Sequence, residues 1–242
     1  MKNKLHNIDC FEGHKLIEDK SIDLIYTDLP YGQTHNKWDC DIDLEQLWKD
    51  YKRILKPKGI IVLHGQGMFT ANLMKSNEKW WRYNLVWKKG ERTSGFLNSK
   101  RMPLRNHEDI LIFYNKPGTY NPQFTKGQPL HGKGTKYKTK EGTNNNYGFY
   151  DGTKEDVRKG STEKYPKSIL NFDRPHPPIH PTQKPIELAE WIIKTYSNEN
   201  DIILDSTSGS GTIPIACNNL KRNWIAFESD KKYFELANER IY

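Results

Sequence analysis

The sequence predicts an α/β domain built on a largely parallel sheet and interrupted by one basic insertion. Three observations predict it. Short apolar runs alternate with stretches of helical periodicity in the first 114 residues, and the alternation stops between residues 115 and 175. It resumes near the C-terminus as a strand, a Gly-rich turn, a helix, a strand and an acidic residue. A chain of 242 residues has room for one large domain with such an insertion.

Taken in order, Asn7 to Phe11 opens the chain as a short segment, and Lys15 to Lys20 reads as a short helix or turn. The apolar run Ile22 to Tyr26 predicts a buried strand, which Pro30 and Gly32 stop within a few residues. Trp38 and Asp39 lie in the polar stretch beyond it. Leu44, Leu47, Tyr51, Ile54 and Leu55 have helical spacing, closed by Lys56-Pro57-Lys58-Gly59. Ile60 to Leu63 reads as a strand and Thr70 to Lys75 as the start of a helix. Trp80 to Trp87 and Asp109 to Tyr114 predict two more strands, joined by a polar, basic loop from Lys88 to His107. After the insertion come a helix over Pro185 to Tyr196, a strand over Asp201 to Asp205 and a helix starting at Ile213 to Asn218. A strand over Trp224 to Glu228 and a helix from Asp230 to Ile241 complete the pattern.

No run of ~18 apolar residues occurs, so no membrane-spanning helix is predicted. The first residues, Met1 to His6, have no apolar signal region behind them, which predicts a soluble intracellular protein. Cys10, Cys40 and Cys217 are widely spaced and form no CxxC pair, so they read as reduced thiols, and no metal site is predicted. The net charge of +8 favours a polyanionic partner, and its distribution says more. Residues 115–175 carry 12 Lys and Arg against 6 Asp and Glu, a net +6. The same segment holds 8 of the 17 glycines, with Tyr120, Phe124, Tyr137, Tyr147, Phe149, Tyr150 and Tyr165 among its basic residues. It reads as a linker or as a segment that grips a substrate. Cations able to meet phosphates, interleaved with rings able to stack on bases, favour the second reading.

The stretch Tyr26-Thr27-Asp28-Leu29-Pro30-Tyr31-Gly32 follows the first buried strand, where a loop at the carboxyl edge of an open sheet faces the ligand crevice. Pro30 fixes its own φ, lacks an N–H and biases Leu29 toward extended backbone, which helps hold neighbouring carbonyls as acceptors. A carboxylate oxygen from Asp28 and a main-chain carbonyl can take both hydrogens of one planar amino group, with Tyr31 covering the ring that carries it. The exocyclic amine of a nucleobase has that shape. Taken alone, the heptapeptide is equally well an ordinary surface turn.

The second motif is Asp205-Ser206-Thr207-Ser208-Gly209-Ser210-Gly211-Thr212. Gly209 and Gly211 permit close approach of backbone to a ligand, and Glu228 at the end of the next strand can accept from a ribose diol. The lysine of a phosphate-binding P-loop is absent, and so is the third glycine of a dinucleotide fingerprint. A nucleoside cofactor without a pyrophosphate fits better than either.

Together these motifs make the chain resemble the amino-group DNA methyltransferases of the beta class, the N6-adenine and N4-cytosine family, and most of all its N6-adenine members. Asp28-Leu29-Pro30-Tyr31 resembles the family's catalytic motif, and Asp205 to Thr212 its cofactor signature. His180-Pro181-Thr182-Gln183-Lys184-Pro185 resembles its cofactor-side segment, and Arg105-Asn106-His107-Glu108 its segment beside the base pocket. The resemblance implies a Rossmann-like S-adenosylmethionine-dependent methyltransferase sheet. Residues 1–114 would form its catalytic half, 115–175 a target-recognition insertion and 176–242 its cofactor-binding half. It implies a catalytic loop of Asp28, Leu29, Pro30 and Tyr31, in which the Leu29 carbonyl serves as acceptor and Tyr31 stacks on the base. It also implies S-adenosylmethionine held by Asp205, Thr207, Gly209, Ser210 and Gly211, with Glu228 on the ribose hydroxyls. Asp9 and Cys10 would lie near the adenine of the cofactor, and Thr182 and Lys184 near its methionine end, with Asp28 facing the reacting methyl.

Two departures stand out: Leu29 replaces a proline of the catalytic motif, and Ser206 and Thr207 replace Pro and Phe in the cofactor motif, removing an apolar surface for the cofactor. The implied activity is methylation of adenine N6 in a flipped-out base of double-stranded DNA, in the cytoplasm and at the nucleoid of a prokaryotic or phage-infected cell. A homodimer and a cognate restriction enzyme are the implied protein partners. Methylation of cytosine N4 or of RNA adenine, and a DNA-binding protein that has lost turnover, stand as the alternatives.

Overall fold

The computed structural model describes residues 1–32, 41–129, 142–144, 148–150, 160–177 and 183–242. Its strands are β1 (Lys4–His6), β2 (Ile22–Thr27), β3 (Leu55–Gly65), β4 (Trp81–Lys88), β5 (His107–Phe113), β6 (Thr125–Lys126), β7 (Gly142–Asn144), β8 (Gly148–Tyr150), β9 (Glu163–Lys164), β10 (Ile169–Asn171), β11 (Ile202–Asp205) and β12 (Asn223–Phe227). Its helices are α1 (Cys10–Lys15), α2 (Leu44–Ile54), α3 (Met68–Ser76), α4 (Ile186–Tyr196), α5 (Thr212–Asn219) and α6 (Lys231–Ile241).

Eight strands form one sheet in the order β1-β12-β11-β2-β3-β5-β4-β10. Every neighbouring pair is parallel except those made by β5, which runs against both β3 and β4. The central strands read as unbroken apolar runs because both faces are covered: Leu24, Tyr26, Val62 and Ile112 pack on one side, Ile25, Ile61, Leu63 and Leu111 on the other. α4 packs on the first face through Leu188, Ala189, Ile192 and Ile193, and α2 on the second through Leu47, Trp48, Tyr51 and Ile54. The parallel strands β2, β11 and β12 therefore deliver their C-terminal ends, and the loops that follow, to one edge of the sheet.

Three predictions need adjustment. The short helix ends at Lys15, because Asp9 starts it early by accepting from the N–H groups of Phe11 and Glu12, and the stretch from Lys15 to Lys20 carries turns. Lys4–His6, which the sequence assigned to no element, pairs with β12 at the sheet edge. Ile169–Asn171, assigned to the insertion, pairs with β4 at the other edge.

The chain divides into a large unit, Met1–Asn121 with Lys167–Tyr242, and a smaller one, Pro122–Pro166. In the smaller unit β6 pairs with β9 and β7 with β8, and the rings of Phe124 and Tyr165 lie 5.0 Å apart. Most cations and aromatics predicted to grip a substrate there, including Lys133, Tyr137, Lys154 and Arg158, lie outside the described residues. So do Trp38, Asp39, Cys40, His180, Pro181 and Thr182. Cys10 and Cys217 are buried and unpaired thiols. Among the described residues no helix is long and apolar enough to cross a membrane, and no cluster of His, Cys, Asp and Glu could hold a metal ion.

Candidate active site

A cavity of about 230 Å³ opens at the carboxyl edge of the sheet, within the large unit. Asp9, Cys10, Asp28, Leu29, Pro30 and Tyr31 line one part of it; Lys184, Asp205, Thr207, Gly209, Ser210 and Glu228 line another. Two motifs 177 residues apart in sequence thus share one space, because β2 and β11 are paired neighbours, Leu204 beside Ile25. Gly211 is the exception among the predicted cofactor residues that the structure describes. It caps α5 at φ 76°, and a Cβ there would meet Ile241 Cδ1 at 2.9 Å, so its need for glycine comes from packing against α6.

The two motifs are joined by hydroxyls. Thr27 Oγ1 donates to Asp205 Oδ1 at 2.9 Å, and Thr207 Oγ1 donates to the Asp28 main-chain oxygen at 2.9 Å. The two threonine hydroxyls also meet at 2.8 Å. Thr207, where the family pattern has phenylalanine, therefore ties the cofactor turn to the backbone of the catalytic loop. Ser206, in place of proline, is held from below by the Tyr51 hydroxyl at 2.9 Å and His14 Nε2 at 2.9 Å. His14 in turn faces Asp50, and burial lowers its pKa despite that carboxylate. Apolar surface that Ser206 and Thr207 do not offer is supplied by Ile8, Phe11, Ile213 and Phe227, which also line the cavity.

Asp28 projects from the end of β2, partly exposed. Its Oδ1 accepts from the Tyr31 hydroxyl at 2.7 Å, and its Oδ2 is paired with Lys184 Nζ. The Tyr31 ring stacks on Phe69 at 4.8 Å. Lys184 also lies 3.4 Å from Glu108 Oε2, and the other oxygen of Glu108 pairs with Lys89 Nζ at 2.6 Å. Burial works to raise the Glu108 pKa, but Lys184 and Lys89 outweigh it and hold the carboxyl at about 2. Burial works to lower Lys184, yet Asp28 and Glu108 together raise it, so this ammonium stays charged. Behind them, His64 is fully buried, meets the Tyr26 hydroxyl at 3.1 Å, and is lowered to about 4 by burial and by Lys184.

Asp205 differs. Among the described residues it faces no cation, and burial pushes its carboxyl up to about 7 against the bonds from Thr27 and Thr207. The Ser208 hydroxyl, buried beside it, works with those bonds to hold the carboxyl down. Glu228 accepts from the N–H groups of Gly209 at 2.8 Å and Asp230 at 2.9 Å, which fixes its carboxylate at the mouth of the glycine turn. Burial raises its pKa. Next to Asp9, burial and then the aspartate charge push the Cys10 thiol up to about 12, so it serves as an apolar wall.

Sequence reading named the acceptor loop and the glycine turn but not the residues packed behind them, Lys89, His14 and Tyr51. The missing signal for Lys89 was register: Trp87 pairs with Glu108 across β4 and β5, which brings the next lysine but one onto the same carboxylate.

The arrangement has known counterparts. A DNA methylase family model matches residues 22–239. The type II methyltransferase M.HpaI of Haemophilus parainfluenzae is 28% identical over 251 residues, covering 100% of this chain and 74% of the relative. Among solved structures, M1.HpyAVI in complex with SAM matches 98% of each chain at 25% identity with a TM-score of 0.65. The cytosine-N4-specific PvuII DNA methyltransferase shares the fold at 14% identity and a TM-score of 0.70, covering 99% of this chain and 86% of that one. Like the Rossmann-like sheet and the order of its motifs, these matches lead to one conclusion: the chain belongs to the N6/N4 DNA methylase family, with the beta-class order of catalytic and cofactor motifs.

Proposed function

We propose that the protein transfers a methyl group from S-adenosylmethionine to the N6 amino group of adenine in a flipped-out base of double-stranded DNA. The observation that carries this reading is the pairing, in one cavity, of the Asp28 carboxylate with a glycine turn closed by Glu228. The cavity suits the cofactor on independent grounds. Its lining offers buried polar groups, on Asp205 and Ser208, beside apolar walls for a purine ring.

Glu228 would accept from the ribose hydroxyls, Asp9 and Cys10 would border the adenine, and Lys184, with Thr182, would meet the methionine end. The bound cofactor supplies an electrophilic methyl on a sulfonium. The work of the chain is to present the amine to it. An aromatic amine is a weak nucleophile because its lone pair is delocalised into the ring. Hydrogen bonds from its two N–H groups to Asp28 and to the Leu29 carbonyl would orient the nitrogen and stabilise positive charge as it develops. Pro30 stiffens that backbone, and Thr207 anchors the adjoining Asp28 carbonyl. Tyr31 would leave Phe69 or share it with the base, which must leave the duplex to enter the cavity.

Nucleoside mass spectrometry of unmethylated duplex DNA incubated with protein and S-adenosylmethionine tests this reading. N6-methyladenine is the expected product. N4-methylcytosine would move the target to the other base of the family, methylation of RNA alone would change the substrate, and cofactor binding with no product on any of them would leave a DNA-binding role. Asp at the first motif position, where the cytosine enzymes typically have Ser, favours adenine.

A further inference from the structure

The loop between β4 and β5 has no role in the site described above, yet its roots are part of it. Because β4 runs parallel to β2 and β5 runs back, this loop rises from the same sheet edge as Asp28 and Glu228. Its first residue, Lys89, is the buried partner of Glu108, which bridges to Lys184 and so to Asp28. Above this root the two arms stay paired: Lys89 N–H donates to the Asn106 oxygen at 2.8 Å, and Ser94 and Arg105 exchange bonds of 2.7 and 3.0 Å. Gly95, at φ 86°, turns the chain into a short 3₁₀ turn over Phe96–Asn98, closed by Arg101 N–H and Met102 N–H on the Asn98 oxygen. The tip is thus preformed.

What the tip presents is unusual for a surface loop. Phe96 is 79% exposed and Leu97 96%, with Met102 and Leu104 exposed a few residues on. Around them stand exposed Arg92, Lys100, Arg101 and Arg105. Residues 88–107 hold six Lys and Arg against Glu91 alone, a net +5 in twenty residues. Four exposed apolar side chains within nine residues suit a contact surface. Its charge selects the partner, because two copies of this chain meeting through it would bring like charges together, whereas a phosphate backbone complements them.

We propose that this loop is a second DNA-contacting element: Phe96 and Leu97 wedge into the base stack beside the target, while Arg92, Lys100, Arg101 and Arg105 hold the flanking phosphates. The proposal rests on the reading of duplex DNA as substrate. Apolar side chains inserted between base steps offset the loss of stacking, and a base leaving the helix for the cavity creates that loss. A wedge rooted on Glu108 acts within reach of the cavity that receives the base.

Two variants test it, with methyl incorporation from labelled S-adenosylmethionine into polymerase-amplified, unmethylated bacterial DNA as the readout. Phe96→Ser with Leu97→Ser, both at exposed positions, should keep wild-type cofactor affinity by calorimetry and DNA affinity within about threefold, while kcat on duplex falls about tenfold or more. Arg92→Gln with Lys100→Gln and Arg101→Gln should instead raise KM for DNA and lower the slope of log affinity against log salt by about 0.9 for each phosphate no longer neutralised. Wild-type turnover in the first variant with an unchanged salt slope in the second would overturn the proposal. So would a tip variant whose only change is dissociation of a dimer in sedimentation. Failure of the wild-type protein itself to methylate any DNA would instead sink the substrate reading beneath it.

Discussion

Two neighbouring strands, β2 and β11, end in aspartates that are kept in opposite circumstances. Asp28, just past β2, faces the cavity, takes the Tyr31 hydroxyl and is paired with the Lys184 ammonium. Asp205, the last residue of β11, is buried with hydroxyl and amide donors only, and its carboxyl is pushed up to about 7. On the proposed reading, the carboxylate with a counter-ion is the acceptor of the base amine, and the one that faces no cation among the described residues belongs to the cofactor turn. The two are not independent, because Thr27 and Thr207 stand between them. The difference shows how a sheet can hold one acid against a cation and another, a strand away, close to neutral.

Removing the acceptor should have the largest effect. Asp28→Ala should bind S-adenosylmethionine within about threefold of wild type by calorimetry, yet lose methyl transfer about a thousandfold, as when a positioned transition-state group is lost. Removing the counter-ion comes next. Lys184→Met leaves Asp28 and the buried Glu108 without a shared cation, so stability should fall by about 3 kcal/mol in urea unfolding, and turnover about a hundredfold. Thr207→Val keeps the volume but cuts the link to the Asp28 carbonyl, which should lower kcat about tenfold in steady-state assays. Threonine-like activity in Thr207→Ser and not in the valine variant would identify the hydroxyl as the active feature.

The smallest effect is a pH dependence. The Asp205 carboxyl is raised from 3.8 to about 7, so the folded chain holds a proton there that the unfolded chain releases. The stability this contributes is fully present below pH ~3.8 and is lost as pH rises through about 7. His64, lowered to about 4 by burial, acts in the opposite direction over part of that window, so the comparison must be between variants. The stability of wild type relative to Asp205→Asn should decline as pH is raised from 4 to 7 and then level off, as followed by thermal unfolding; a constant difference would assign Asp205 an ordinary carboxyl.

Contiguous chemistry was legible in the sequence. The Asp28 to Tyr31 loop and the Asp205 to Thr212 turn each follow an apolar run that reads as a buried strand, and residues of both line the cavity. What depends on register was not legible. Glu108 meets Lys89 only because β4 and β5 pair with Trp87 beside Glu108, and Ser206 meets His14 and Tyr51 only after α1 and α2 have packed below the turn. The reversed direction of β5 did have a signal. Parallel strands need a crossover, usually helical, and residues 88–107 have no helical period. Three-residue strands such as β1 and β10 are too short to show a period at all.

On the proposed mechanism, Asp28 and the neighbouring carbonyl hold an amino group beside a methyl donor. A crystal structure of the protein with a non-reactive analogue of S-adenosylmethionine and a duplex containing the target tests it directly. The expected result is the base amine on the Asp28 carboxylate and the Leu29 carbonyl at hydrogen-bond distance, with its nitrogen about 3–3.5 Å from the group replacing the methyl. An analogue seated with its sulfonium position on the far side of the glycine turn, more than about 10 Å from Asp28, would contradict it.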